Sequence, residues 1–302
     1  MCPDLKQSLP NRLGGDYRHL GRREIHSDPA DPGFDGFLGE DEPMNKWILS
    51  TLVGAAWLTA SGAAIAGKIA CAGFHSPTYS IGGDVYPAGG AGPVAGFGWT
   101  GPWQGSSGFN ITAPRTIVAA LSYPGLAATK FAAASPAYVG AGTNSTAVRG
   151  FNNTATNVMW FSFLLQLNSA DVMADGNSAG NYGGIALEDA TGSNFLYAGV
   201  PGGATGYSLQ TNAEIAPLGS AVPSVGRTDL LVVRLGPGKK ASLWVDPTLG
   251  QALGTPDSVI TLPLAASQYV SLYWSDSWGW TYAGLRLGTS LASVTPGQPD
   301  CP

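Results

Sequence analysis

The chain has 302 residues, of which 15 are Lys or Arg and 20 are Asp or Glu, so its formal net charge is −5. After residue 66 the longest basic run is the pair Lys239 and Lys240, which excludes the broad basic surface that nucleic-acid binding requires. Glycine contributes 43 residues without a collagen-like period, about twice its usual share near 7%. This composition favours a β-protein with many turns, and the charge favours a neutral ligand.

The first 43 residues differ from the rest of the chain. They hold nine acidic and five basic side chains and five prolines, with little apolar periodicity. Such a segment cannot bury enough apolar surface to fold alone, so residues 1–43 are predicted to be a disordered leader. The alternative is a translation start assigned too far upstream.

A secretory signal peptide is predicted at residues 44–66. Met44 and Lys46 precede an uncharged run, 47–66, that ends in the small-residue tripeptide Ala64, Ile65 and Ala66. This order predicts cleavage before Gly67, and therefore a secreted or extracytoplasmic protein with no membrane span after cleavage. The same run is long enough to cross a bilayer, so a retained anchor stays open as the alternative.

The three cysteines are Cys2, Cys71 and Cys301. Export and cleavage would leave Cys71 and Cys301 near opposite ends of the mature chain. Chain termini are often close in space, so we expect these two to form a disulfide in an oxidising compartment.

From residue 80 to 296 the sequence predicts one all-β domain, preceded by a linker at 67–79 and followed by a tail at 297–302. The glycine-rich segment 82–103 is too irregular for a strand and is expected to wrap an edge. About ten to fourteen short strands with turn residues between them predict a two-sheet antiparallel β-sandwich of jelly-roll type. The clearest strand-like segments are 115–123, 147–151, 158–167, 183–188, 193–200, 205–210, 269–274, 280–288 and a hairpin at 228–247.

Two of these segments are predicted to be covered on both faces. Residues 158–167, VMWFSFLLQL, and the run 230–235 carry apolar side chains at consecutive positions, whereas a strand with one wet face alternates. Trp160 and Trp244 lie in such apolar surroundings and are predicted to be core residues.

Several stretches together resemble the concanavalin A-like, laminin-G-like jelly-roll domain of exported bacterial proteins, in the version often attached to a PEP-CTERM sorting tail. The resemblance spans about 80–296 and implies fold more than activity. No apolar helix with a basic end follows Pro296, so we expect that the sorting tail is absent. The stretches are 82–103, LSYPGLA at 121–127, WFSFLLQ at 160–166, LVVRLGPGKKASLWVDPTLG at 231–250 and YAGLRLGTSLASVTP at 282–296.

The residues of the predicted domain do not form a recognisable catalytic group. Its two glutamates are Glu188 and Glu214, and Glu188 adjoins Asp189, so regular strand geometry points those two carboxylates to opposite faces. The only histidine after the signal is His75, before the domain. We therefore expect no enzyme; the least favoured alternative is a polysaccharide-acting enzyme with loop carboxylates from Asp171, Asp175, Glu188 and Asp189.

No cofactor is expected, except that related laminin-G-like domains sometimes hold calcium. Asp171, Asp175 and Asn177 supply hard oxygen donors in one loop, which suits Ca²⁺. Met173 and Tyr182 occupy positions where an EF-hand loop has oxygen ligands. The alternative is a polar turn whose side chains bond their own backbone.

Aromatic residues concentrate between 269 and 282 and suggest a glycan platform. Tyr273, Asp276, Trp278 and Trp280 form the candidate ligand site, because indole faces stack on sugar rings and a carboxylate bonds to hydroxyls. On one strand Trp278 and Trp280 would share a face about 6–7 Å apart. The alternative is that these tryptophans fill the core. The sequence thus predicts an exported, non-catalytic module for a neutral glycan or another cell-surface or matrix component; a structural or adhesive protein-binding module is the alternative.

Overall fold

The computed structural model describes 67–72, 74, 82, 85, 96–105, 116–126, 131–134, 145–153, 158–169, 182–262, 269–274 and 279–295, with backbone only at 131–134, 145, 169, 273 and 274. All of these residues belong to one compact unit, Ala64–Pro302. The predicted leader, the signal peptide or anchor and the tail lie outside the described residues and stay predictions. No helix in the described ranges has the length and apolarity needed to cross a membrane.

Fourteen strands in the described residues form two antiparallel sheets, which confirms the predicted all-β, two-sheet sandwich. The larger sheet has the order β12-β11-β10-β6-β14-β4-β3, with β1 also paired to β14, and the smaller has the order β2-β5-β13-β7-β8-β9. The strands are β1 (Lys68–Ala72), β2 (Gln104–Gly105), β3 (Thr116–Ala119), β4 (Phe131–Ala134), β5 (Ser145–Gly150), β6 (Met159–Ser169), β7 (Gly183–Glu188), β8 (Phe195–Val200), β9 (Ser208–Thr211), β10 (Thr228–Gly236), β11 (Lys240–Val245), β12 (Ser258–Thr261), β13 (Tyr269–Trp274) and β14 (Gly279–Gly288).

The main core lies between the two sheets. Alternate residues of each strand point into it, as the period of two in a strand requires. Fully burying such a side chain contributes about 1.5–3 kcal/mol. From the large sheet the core receives Phe161, Phe163, Leu165, Leu231, Val233 and Leu243, and from the small sheet Ile185, Leu187, Leu196, Ala198, Val270 and Leu272.

A second, smaller apolar cluster lies on the opposite face of the large sheet. Leu164, Leu230 and Val232 face this side, beneath Leu121 from the segment after β3. A one-turn helix, α1 (Leu291–Val294), contributes Leu291. β6 and β10 are therefore covered on both faces, as their sequences predict.

The structure corrects the predicted linker at 67–79. Lys68–Ala72 forms β1, which pairs with the end of β14 and buries Ile69 and Cys71. The domain therefore begins well before residue 80. Phe97 pairs with Cys71 and Trp99 pairs with Phe151 as isolated bridges, so the described part of the glycine-rich opening follows strand edges, as predicted.

Cys71 is fully buried in β1 and is disulfide-bonded. Its two possible partners, Cys2 and Cys301, both lie outside the described residues, so the pairing with Cys301 stays a prediction. Peptide mapping of the exported protein without reducing agent is expected to recover one cross-linked pair containing Cys71 and Cys301. A cross-link to Cys2, or an unmodified Cys301 thiol, would contradict this pairing and also the predicted cleavage before Gly67.

Candidate functional site

The prediction that Trp280 binds a ligand is wrong, because its side chain belongs to the main core. Its side chain is 0% exposed. The indole lies directly against Gly183 of β7, where an added Cβ would come within 2.4 Å of Trp280 Nε1. An indole enclosed in this way cannot stack on a sugar ring.

The structure does not describe the side chains of the other predicted ligand and metal residues. Only the backbone of Tyr273 is described, in β13, where it pairs with Thr146 and Gly184. Asp276 and Trp278 lie outside the described residues, as do the proposed calcium ligands Asp171, Asp175 and Asn177. Within the ranges described, no group of three or more His, Cys, Asp or Glu side chains is arranged to hold a metal ion.

Asp189, a candidate loop carboxylate, closes the turn that follows β7. Its Oδ1 accepts hydrogen bonds from Thr191 N at 3.0 Å and Ser193 N at 3.2 Å, and its Oδ2 accepts one from Asn194 Nδ2 at 2.7 Å. Slight burial works to raise the pKa of Asp189, but the hydrogen bonds from Asn194 and Thr191 outweigh it and lower that pKa. These contacts assign Asp189 to turn structure. Glu188 is buried at the end of β7.

Two carboxyl groups that the sequence does not single out meet at the far end of β10 and β11. Asp229 is fully buried, accepts a 2.6 Å hydrogen bond from Tyr207 Oη and forms an ion pair with Arg227. Asp246 accepts a hydrogen bond from Leu230 N at 2.8 Å, and its carboxyl group interacts electrostatically with that of Asp229. Two neighbouring carboxylates repel each other, which favours a proton on one of them.

The environment of this pair favours the protonated form of Asp246. Burial raises the pKa of Asp246 to about 6, and the charge of Asp229 adds to the shift, against the hydrogen bond from Leu230. Burial and the charge of Asp246 raise the pKa of Tyr123, from the segment over the second cluster, to about 12. Burial beside Asp229 likewise raises the pKa of Tyr207. The protonation of Asp246 is thus coupled to the charge of Asp229.

Two indoles stack on the outer face of the large sheet. The ring centroids of Trp160 (β6) and Trp244 (β11) are 5.9 Å apart, with 22° between the ring planes. Trp244 Nε1 donates to Gly254 O at 2.9 Å, and Trp160 is partly exposed. Trp244 is buried, as predicted, whereas Trp160 is only partly buried; both lie on the side opposite the main core, where Trp160 packs against the second cluster.

Arg234 stands beside this aromatic pair. Its guanidinium Cζ lies 5.6 Å from the centre of the Trp160 ring, within the range of a cation–π contact. Backbone register places Trp160, Arg234, Ser242 and Val259 in one row across four strands. At ordinary strand spacing that row is about 14 Å long.

We call this surface the hairpin patch: Trp160, Arg234, Lys240, Ser242, Trp244 and Val259. Val259 is 45% exposed, and Arg234 and Lys240 are also exposed. The patch combines an aromatic edge, an apolar side chain and polar groups on rigid strands, which is the composition of a site for an amphipathic ligand. The one sequence signal for the hairpin patch is Arg234, because this residue interrupts an otherwise apolar run. The contact between Arg234 and Trp160 joins residues 74 positions apart, so it could not be predicted from the local sequence.

No protein-family model and no curated protein matches the chain. Among solved structures, it is similar to carbohydrate-binding module CBM66 from Bacillus subtilis, with 10% identity over 52% of this chain and 86% of that chain and a TM-score of 0.32. It is also similar to the cellulose-induced protein Cip1, with 12% identity, coverage of 62% and 91%, and a TM-score of 0.39. A third is the globular domain of T. cruzi calreticulin, with 13% identity, coverage of 63% and 84%, and a TM-score of 0.38. Likenesses this distant assign no function.

Proposed function

We propose that this protein is an exported, non-catalytic module that binds a saccharide through the hairpin patch. The observation that carries the proposal is the partly exposed Trp160, held on one rigid row with Arg234 and Ser242. Aromatic edges and apolar side chains contact the C–H groups of a sugar, while Arg and Ser side chains bond to its oxygens. The sandwich is proposed to be of the concanavalin A-like type, acting outside the cytoplasm.

Catalysis is not part of the proposal. Asp229 is enclosed by Tyr207 and Arg227, and Asp189 has its oxygens engaged in its own turn. General acid–base chemistry requires a carboxyl within hydrogen-bond reach of the bond to be broken. The contacts of Asp189 and Asp229 instead support structural roles.

Replacing Trp160 with Ala is expected to weaken saccharide binding about tenfold or more, which corresponds to roughly 1.4 kcal/mol. The full chain is first screened on a glycan array, and the best hit is then titrated by isothermal calorimetry with wild type and variant. Circular dichroism checks the fold, which we expect to survive because Trp160 is partly exposed.

The matched control is Tyr269→Ala. Tyr269 is a comparably accessible aromatic, 37% exposed, on the smaller sheet. The Tyr269→Ala substitution should leave the affinity for the saccharide unchanged. If Tyr269→Ala removes binding and Trp160→Ala does not, the saccharide site is on the other sheet and the assignment to the hairpin patch is wrong.

A structural or adhesive module is the second candidate, and one observation favours it. The segment beside β9 exposes four apolar side chains, each 46–57% exposed, which are Ile215, Leu218, Val222 and Val225. Exposed apolar side chains concentrated in one segment can mark a protein contact. An array without saccharide hits, together with a surface protein captured by wild type but not by Leu218→Ser with Val222→Ser, would favour this class.

A further inference from the structure

The charge on the hairpin patch differs from that of the whole protein. The chain carries a net charge of −5, and only nine basic residues follow residue 66. Three of these, Arg234, Lys239 and Lys240, lie on the single hairpin formed by β10 and β11, and all three are exposed. A local positive field can therefore act at the patch within an acidic protein.

These three cations lack partners within the protein. Among the described residues, none of their side chains takes part in an ion pair or a hydrogen bond, and the one contact of Arg234 is with the Trp160 ring. By contrast, Arg227 on the same strand region is paired with Asp229. The hairpin thus keeps its positive charge available to a ligand.

The acidic residues of these strands lie toward the Trp244 side of the patch and away from the hairpin tip. Asp229 is five residues from Arg234 along β10, and Asp246 is six residues from Lys240 along β11, which is about 17–20 Å at the usual rise. Asp257 is nearer, since it precedes β12 two residues before Val259, but its Oδ2 accepts a hydrogen bond from Val245 N at 2.8 Å. The unpaired positive charge is therefore concentrated at the end of the patch that carries Arg234 and Lys240.

The polar groups beside Trp160 are almost all donors. Arg and Lys side chains carry only donors, and so does the indole N–H; that of Trp160 has no hydrogen-bond partner in the described part of the chain. A neutral sugar hydroxyl both donates and accepts, whereas a carboxylate or sulfate group only accepts. Hydrogen bonds between charged partners are also roughly twice as strong as neutral ones. The contact with Trp160 holds the guanidinium ready for such a bond.

We propose that the saccharide bound at the hairpin patch carries carboxylate or sulfate groups, with Arg234 as the residue that recognises the anionic group. This rests on the proposed saccharide binding and replaces the neutral ligand that the overall charge favours. Trp160 and Val259 contact the sugar ring, and Lys239 and Lys240 add attraction for the neighbouring anionic groups of a polymer.

The test uses polymer pairs that differ only in charge. The full chain is titrated with polygalacturonate against its fully methyl-esterified form, and with dextran sulfate against dextran, at several NaCl concentrations. We expect at least tenfold tighter binding to one acidic member at low salt, with an advantage that shrinks as salt rises. Equal affinity for both members of each pair would overturn the inference while leaving saccharide binding intact. No binding to any of the four polymers or to a glycan array would overturn both proposals.

Variants separate the two contributions. Arg234→Gln is expected to lower affinity for the acidic polymer about tenfold and to leave affinity for its neutral counterpart nearly unchanged, whereas Trp160→Ala should weaken both. Gln104→Glu, which removes one unit of net charge at an exposed position on the smaller sheet, is the control and should change neither. If Gln104→Glu matches Arg234→Gln, or if single-stranded DNA binds as tightly as the acidic polymer, the attraction is unspecific and the inference fails.

Discussion

Replacing Trp280 with Ala is expected to lower the free energy of unfolding by about 3–5 kcal/mol, the usual cost of removing a large aromatic from a packed core. The indole is fully buried and lies against Gly183 on the facing sheet, so its loss leaves a cavity between the sheets. Gly183→Ala should be similarly damaging, because a Cβ there would meet Trp280 ring atoms at 2.3–2.4 Å. Urea denaturation followed by circular dichroism measures both effects.

Trp160→Ala is the matched control for this experiment. It removes the same side chain from the partly exposed outer face of the same sheet, and we expect a cost of about 1–2 kcal/mol. A Trp280→Ala protein that keeps wild-type stability and loses saccharide binding would contradict the core assignment and restore Trp280 as a ligand residue.

The stability of the protein is expected to depend on Asp246 between pH 4 and pH 6. The pKa of Asp246 is raised by burial and by Asp229 from 3.8 to about 6, so in this range the folded state binds a proton that the unfolded chain releases. The stabilisation is therefore complete below about pH 4 and is lost as pH rises through 6. Asp246 is exposed at the residue level, and with solvent screening we expect a change of about 1–2 kcal/mol.

Asp246→Asn isolates this contribution. The amide keeps an oxygen that can accept from Leu230 N, carries no charge beside Asp229 and does not titrate. The variant should match wild type near pH 4 and exceed its stability by about 1–2 kcal/mol at pH 7.5. Parallel stability curves from pH 4 to pH 8 would contradict a raised pKa for Asp246. The other titratable groups facing the pair, Tyr123, Tyr207 and Arg227, do not change charge in this range.

Most of the fold was predictable because long apolar strands can be recognised from the sequence. β6 and β10 carry apolar residues at consecutive positions, and both prove to be covered on two faces. The short strands were not found: β4 has the sequence FAAA and β12 has SVIT. Four residues hold too little of the period-two pattern, and alanine favours helix. Such short strands form because a neighbouring strand supplies partners for their backbone hydrogen bonds.

The tryptophans show what the local sequence pattern cannot predict, which is the environment of each side chain. Alternation correctly separates Trp244 from Leu243, but it does not say which face is the main core when both faces of a sheet are covered. The segment after β3 and α1 cover the outer face, and neither is near β11 in sequence. Trp280 is therefore a core residue rather than part of the candidate ligand site, and Trp160 is partly exposed on the outer face.

Composition and strand periodicity were sufficient for the all-β class, the central strands and the β10–β11 hairpin, because those follow from side chains a few residues apart. Only the tertiary structure decided the environment of each described tryptophan and the proximity of Asp229 and Asp246. Such contacts depend on sheet register and on the segments lying over each face, and these join residues tens of positions apart along the chain. A patch with unpaired positive charge in an acidic protein could accordingly be recognised only once Arg234 and Trp160 were seen on adjacent strands.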